Sequence, residues 1–473
     1  MKISPSPGNS IAIQLRYKNE IGKLSVLTAA IAGAGGNIGD IQIVKSDRMQ
    51  ITRKIVVDTT GDAHVEQIVS AVKAVPGVEV IEVYDCTFKL HEGGKLDVVS
   101  KCELNNYADL SMAYTPGVAR VCMAINKDPK LARDYTIRRN TVAIITDGTA
   151  VLGLGNIGAL ASLPVMEGKA VLFKIFGGVN SFPVCVDTKD IDVLVETARA
   201  VSVTFGGINL EDIAAPRCFE VERRVSQSVD IPVFHDDQHG AAVVVGAAFI
   251  NAIKVTGKKP GNMRALVCGA GAAGVACSRA LMDLGVGDII VCDKQGVIYR
   301  GSEGLVPSMA WLAEQTNKEN VKGTLQEALA GTDLFLGLSA PNLLTGNDIR
   351  TMNPDPIVFT LANPVPEVQP EAIMDYAAVV ATGRSDYPNQ INNVLCFPGL
   401  FRGLFECGAK KVTREMLTAA AHAIASAIEE SELSREYIIP SAFNENVGPS
   451  VARAVIDVYN NASLPQTPIY FEF

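Results

Sequence analysis

Residues 11–17 (IAIQLRY) alternate apolar and polar side chains, the period of a strand with one buried face. Over residues 19–34 the apolar positions shift to helical spacing at Ile21, Leu24, Leu27 and Ile31, and Gly35-Gly36 end the run. Strand-like runs at 38–45 and 51–58 flank the polar SDRMQ segment. An amphipathic helix over 62–75 stops at Pro76-Gly77, and residues 78–84 read as a last strand. The order βαββαβ predicts a ferredoxin-like unit. HEGGK (91–95) reads as a linker, after which strands and helices alternate, predicting α/β architecture with a parallel sheet. A strongly helical, Ala-rich stretch covers 413–432.

The pattern GxGxxG occurs at Gly153, Gly155, Gly158 and again at Gly269, Gly271, Gly274. The second follows an apolar strand (265–268), opens an Ala-rich helix (272–284), and precedes a second strand ending at Asp293. That spacing is the Rossmann arrangement: Gly269, Gly271, Ala272, Ala273 and Gly274 would surround a pyrophosphate, and Asp293 would bind a ribose. No acid follows the first loop at that spacing, so its glycines are expected to make tight turns.

Two acidic pairs, Glu211-Asp212 and Asp236-Asp237, each end an apolar run and precede a helical signal. They are expected at the carboxyl ends of strands, where open α/β sheets bind ligands. Adjacent residues on extended chain point apart, so Asp236 and Asp237 are expected to do different jobs. Carboxylates of this number suit a hard divalent cation, although either pair alone could equally cap a helix. His235 and His239 are assigned a structural role. Lys169 lies beside an apolar run; if desolvated, its pKa would fall and it could act as a base. Tyr114 precedes a rigid Pro116-Gly117 turn.

Composition narrows the field. The 473 residues carry 42 Lys+Arg against 51 Asp+Glu, a net charge of −9, which argues against a nucleic-acid partner. The N-terminal MKISPSPGNS has no apolar core of a signal peptide, and no fully apolar run approaches the ~18 residues that span a bilayer, 240–250 being the nearest. Ten scattered cysteines without a CxxC pair read as reduced thiols of a cytoplasmic protein without a membrane partner.

Taken in order, YTPGVA (114–119), TDGTAVLGLGNIG (146–158), PVMEGKAVLFKIF (164–176), NLEDIAAP (209–216), VFHDDQHGAA (233–242), CGAGAAG (268–274), TLANPVPE (360–367) and GRSDYPNQINNVLCFPG (383–399) resemble the malic enzymes, in particular the compact bacterial type. The resemblance implies oxidative decarboxylation of malate with NAD or NADP and Mg²⁺ or Mn²⁺. It implies Lys169 as general base, Tyr114 as the acid that protonates the enol, and Asp236 as the carboxylate tuning the lysine. It also implies Glu211, Asp212 and Asp237 as metal ligands, with Asn363 and Asn393 contacting substrate and nicotinamide. Residues 9–86, with their helix-Gly-Gly-Asn turn, resemble ACT domains, which implies a metabolite or amino-acid effector acting through a homodimer or higher homo-oligomer.

The expected domains are an ACT-like regulatory block (1–88), a substrate and metal domain (89–240) and a Rossmann NAD(P) domain with a C-terminal helical region (241–473). One departure matters: larger malic enzymes carry a substrate-binding arginine where this chain has Ala150, so Arg384 is taken as the replacement anchor. Asp293 favours NAD over NADP. Malolactic decarboxylation to lactate, or a ligand sensor with weak catalysis, are the alternatives.

Overall fold

The computed structural model describes residues 5–151, 153–461 and 463–473; the first four residues of the polar N-terminus and Leu152 of the TDGTAVLGLGNIG stretch lie outside the described residues. The chain divides into two compact units, Met1–Val98 and Val99–Phe473.

The first unit has the expected βαββαβ order: β1 (Ser6–Lys18), a helix at Lys23–Gly33, β2 (Asn37–Ser46), β3 (Gln50–Thr59), a helix at Asp62–Lys73 and β4 (Val78–Asp85). The strands form one sheet in the order β2-β3-β1-β4, with β1 antiparallel to both β3 and β4. Alternation along β1 and β3 sends Ile13, Leu15, Ile55 and Val57 against Leu27 and Ile31 of one helix and Ile68 and Val72 of the other. A further helix, Cys86–His91, is capped by the Asp85 carboxylate, which accepts from the Phe88 amide.

The second unit contains two layers, one wholly parallel and one parallel but for a short antiparallel edge strand. In the first, β5 (Thr141–Thr146), β6 (Asn180–Cys185), β7 (Gly207–Leu210) and β8 (Val233–His235) lie in the order β6-β5-β7-β8, all parallel. In the second, β9 (Arg264–Cys268), β10 (Asp288–Asp293), β11 (Gly296–Val297), β12 (Leu334–Gly337), β13 (Ile357–Thr360) and β14 (Val379–Thr382) run in the order β11-β10-β9-β12-β13-β14. The direction of winding changes between β9 and β12, the switch point at which such sheets bind ligands. The apolar 240–250 stretch falls in the Ala241–Thr256 helix, buried from Ala242 to Ala252 as a core helix. The Ala-rich 413–432 stretch is helical only over Arg414–Ala425; beyond Ser426 the acidic 429–432 segment turns.

The final residues join these layers. Phe471 meets Phe219 of the Arg217–Ser228 helix at 5.6 Å and Trp311 of the Pro307–Gln315 helix at 5.5 Å between ring centroids. The Arg279 guanidinium lies 3.8 Å from the Phe471 ring centroid and donates to the Ile469 carbonyl.

Candidate active site

Two parallel strands and one helix deliver the acidic and basic groups to a single place. Glu211 and Asp212 follow β7, Asp236 and Asp237 follow β8, and Lys169 rides mid-way along the Ala159–Gly177 helix. Lys169 Nζ donates to Asp236 Oδ2 at 2.6 Å, approaches Glu211 Oε1 at 2.9 Å, and lies 4.2 Å from the ring centroid of Phe397. Asn393 Nδ2 donates to the same Asp236 oxygen at 3.0 Å. Asp237 turns elsewhere, accepting from the Asp212 amide at 2.7 Å. The two aspartates thus diverge as expected, although 236–240 is a wide helical turn rather than extended chain.

Burial alone would lower the Lys169 pKa, yet Asp236 and Glu211 hold it well above its ordinary value. The expectation of a depressed pKa is therefore corrected: desolvation acts in that direction, but two carboxylates within hydrogen-bonding range outweigh it. Opposite this one cation stand four carboxylates. Burial followed by mutual repulsion pushes Asp212 up to about 8, and burial raises Glu211 and Asp237 as well. A site with this excess of negative charge binds protons or a metal cation.

The residues fit a hard divalent cation. Glu211, Asp212 and Asp237 each offer one oxygen, all within 4.8 Å of one another, and Asp212 Oδ2 is buried without a hydrogen-bond partner among the described residues. Asp212 also has φ +55°, left-handed for a non-glycine residue, a strain of the kind held at functional sites. Its carbonyl is fixed by the amides of Thr149 and Ala150.

Several supporting residues have no short-range sequence signal. Asp147 is buried and accepts from Thr149 Oγ1 at 2.6 Å and Arg217 Nη2 at 2.7 Å, bracing the loop that holds Asp212. Asn209 donates to Glu211 Oε2 at 2.7 Å. His239 and Glu222, both buried, pair at 2.8 Å, and His235 Nδ1 lies 3.6 Å from Asp237, which agrees with structural roles for both histidines.

The second glycine loop sits where β9 ends. Gly269, at φ +122°, accommodates the Leu338 carbonyl, and Gly274 accommodates the carbonyl of Gly269; a Cβ at either would collide. Gly271 has no neighbour within 4 Å of where its Cβ would stand and an ordinary φ of −84°. The fold itself does not require a glycine there, whereas a pyrophosphate approaching the Ala272–Asp283 helix, which begins with Ala272 and Ala273, does. Asp293 ends β10, which runs beside β9. Gly153, Gly155 and Gly158 all have positive φ and form tight turns.

Other expected site residues make no hydrogen bond to the Lys169 cluster among the described residues. Tyr114 is 68% exposed, and no bond of the cluster involves it. Asn363 is exposed, its carbonyl next to Gly153 and its amide next to Gly383. Arg384 is held by Asp386 through two hydrogen bonds, 2.8 and 2.6 Å, and by the Pro364 carbonyl at 3.0 Å. None of its hydrogen bonds reaches the cluster, so its guanidinium is already occupied.

Comparison with known proteins adds a consistent result. The family described as "Malic enzyme, N-terminal domain" matches residues 93–226, and "Malic enzyme, NAD binding domain" matches residues 238–460. An NAD-dependent malic enzyme of Geobacillus stearothermophilus is 50% identical over 95% of this chain and 94% of its own. A bifunctional malic/malolactic enzyme of Bacillus subtilis is 50% identical over 76% of this chain and 89% of its own. The crystal structure of an NAD-dependent malic enzyme from Thermotoga maritima superposes with a TM-score of 0.76 at 44% identity, covering 79% of this chain and 99% of that one.

Proposed function

The chain belongs to the malic enzyme family, and we propose that the Lys169 cluster is where it carries out that family's reaction. The activity is oxidative decarboxylation of malate to pyruvate and carbon dioxide with reduction of NAD or NADP. The observation that carries the site assignment is a buried lysine bonded to two carboxylates beside a set of metal-compatible oxygens.

Glu211, Asp212 and Asp237 would hold Mg²⁺ or Mn²⁺, and Gly269, Gly271, Ala272, Ala273, Gly274 and Asp293 would hold the dinucleotide. When bound, the metal polarises the substrate oxygens and the nicotinamide accepts the C2 hydride. Neutral Lys169 takes the C2 hydroxyl proton, and Glu211, once engaged as a metal ligand, would no longer help keep the lysine protonated. Asp236 orients Lys169, and Asn393, sharing the same aspartate oxygen, is placed to bond the substrate. After the C3–C4 bond breaks and carbon dioxide leaves, its electron pair forms the enolate. Tyr114 supplies the proton to C3. Asn363 contacts substrate and nicotinamide. Arg384 becomes the carboxylate anchor by exchanging Asp386 for malate.

Tyr114 belongs to a segment whose helices, Tyr107–Ala113 and Val118–Lys127, contain no buried residue and leave Tyr107, Met112 and Met123 largely exposed. That apolar surface supports a homodimer or higher homo-oligomer in which this segment is covered. The βαββαβ block of the first unit, which precedes both family matches, is read as an ACT-like sensor for a metabolite or amino acid; its fold supports this. Ten free cysteines fit a cytoplasmic location. Asp293 supports NAD over NADP.

The test follows absorbance of reduced nicotinamide with malate, Mn²⁺ and each cofactor in turn. Pyruvate formed with one equivalent of reduced cofactor is expected. Lactate with no net reduced cofactor would replace this reading with the malolactic one.

A further inference from the structure

A cavity of about 540 Å³ opens where the segment around Lys130 to Arg139 meets the end of the Phe397–Cys407 helix. Its lining includes Lys130, Arg133, Arg138, Arg139 and Lys410 against one acid, Asp230. Four net positive charges are thus gathered at one place in a chain whose total is −9. Like charges brought this close repel one another and raise the local anion concentration.

Three of the cations already have partners. Arg133 donates to the Phe405 carbonyl, and its guanidinium fills the space left by the bare Gly408. Arg138 is part-buried and donates to the carbonyls of Ser202 and Val203, 3.2 and 2.5 Å. Lys410 pairs with Asp230. The side chains of Lys130 and Arg139 make no hydrogen bond or ion pair among the described residues, so two charges of the lining are uncommitted.

A volume in this range suits a small metabolite, and guanidinium forks suit phosphate oxygens. A single phosphate group carries about 1.5 to 2 negative charges at neutral pH, so two linked groups match the lining better than one. We propose that this cavity is a second ligand site, separate from the Lys169 cluster, for a small molecule bearing a diphosphate group.

The same wall leads to the active site. Phe397, Phe401 and Phe405 are spaced four residues apart on one helix and share a face. Phe405 meets Phe401 at 6.1 Å, Phe401 meets Phe173 at 5.3 Å, and Phe173 meets Phe397 at 4.6 Å between ring centroids. Phe397 is the ring beneath Lys169. An anion bound against Phe405 would touch the helix that also supports the proposed base, the route by which it would alter malate turnover.

The experiment titrates inorganic pyrophosphate into metal-free, full-length protein saturated with NAD, so that the dinucleotide fills its own phosphate site. One equivalent per chain is expected to bind. The double variant Lys130→Ala/Arg139→Ala, both at exposed positions, should weaken binding at least tenfold while NAD affinity stays within twofold. With free Mn²⁺ held constant, saturating pyrophosphate should change the malate KM of the wild type at least twofold and leave that of the double variant unchanged. No binding, or equal binding by the double variant, overturns the site. Binding without a kinetic change overturns its regulatory role.

Discussion

The Lys169 ammonium lies 4.2 Å from the ring centroid of Phe397, so the proposed base is enclosed by an aromatic ring on one side and by Asp236 and Glu211 on others. Its position is set by packing as much as by charge. Replacing Lys169 with alanine should lower kcat by about 10²- to 10⁴-fold, the range of a positioned acid–base group. NAD affinity, followed by fluorescence, should stay within twofold. A variant retaining more than a tenth of wild-type turnover would remove Lys169 from the mechanism.

Asp236→Asn keeps the shape of the side chain and removes one of the two charges holding the lysine protonated. Turnover requires neutral lysine, so activity rises with pH through the lysine pKa. Removing the carboxylate lowers that pKa, and the acid limb of the kcat profile should move to lower pH. The rate at its plateau should fall as orientation is lost. A plateau that falls without any movement of the limb would assign Asp236 to packing alone.

Adding a cation should stabilise the protein. At a free Mn²⁺ concentration 100 times Kd, binding to the folded state alone contributes about 2.7 kcal/mol. A rise in Tm should follow in thermal melts, be reversed by EDTA, and disappear in Asp212→Asn and Asp237→Asn. Equal Mn²⁺ responses in wild type and both variants would move the metal elsewhere.

Asp333 gives a pH signature far from the chemistry. Burial pushes its pKa up, but hydrogen bonds from Lys258, the Arg264 amide and Asn353 outweigh this and leave it lowered. A carboxyl whose folded pKa lies below its unfolded value stabilises the fold above about pH 4, and that contribution is lost as pH falls through the folded value. Asp333→Asn should therefore cost about 2 kcal/mol at neutral pH, a charged hydrogen bond's worth. The gap between wild type and variant in urea melts should narrow progressively below pH 4.

What could be read from the chain were the features that depend on local pattern. Alternation along 11–17 and 51–58 marks β1 and β3 because one face of each is buried, and the GAGAAG loop is bracketed by its own strand and helix. The placement of Glu211 and Asp236 beyond β7 and β8 follows from the apolar runs before them. Pairings across distance were not legible. Lys169 and Asp236 are 67 residues apart, and the direction of the lysine's pKa depends on which neighbours arrive. Arg217 and Asp147, 70 residues apart, have no shared motif. Arg384 shows the same limit at short range: Asp386, two residues on, pairs with it, and charge spacing alone does not say whether neighbours pair.

The contacts of Phe471 have a practical bearing on how the protein is handled. Its ring bridges the Arg217–Ser228 helix, which packs beside β8, and the Pro307–Gln315 helix, which packs on the Ala272–Asp283 helix, while Arg279 grips it from a third direction. An affinity tag fused after Phe473 would pull on the seam between the two layers, and any slack introduced there would be measured as altered catalysis. Tags are better carried at the other end, on a unit that folds around its own core.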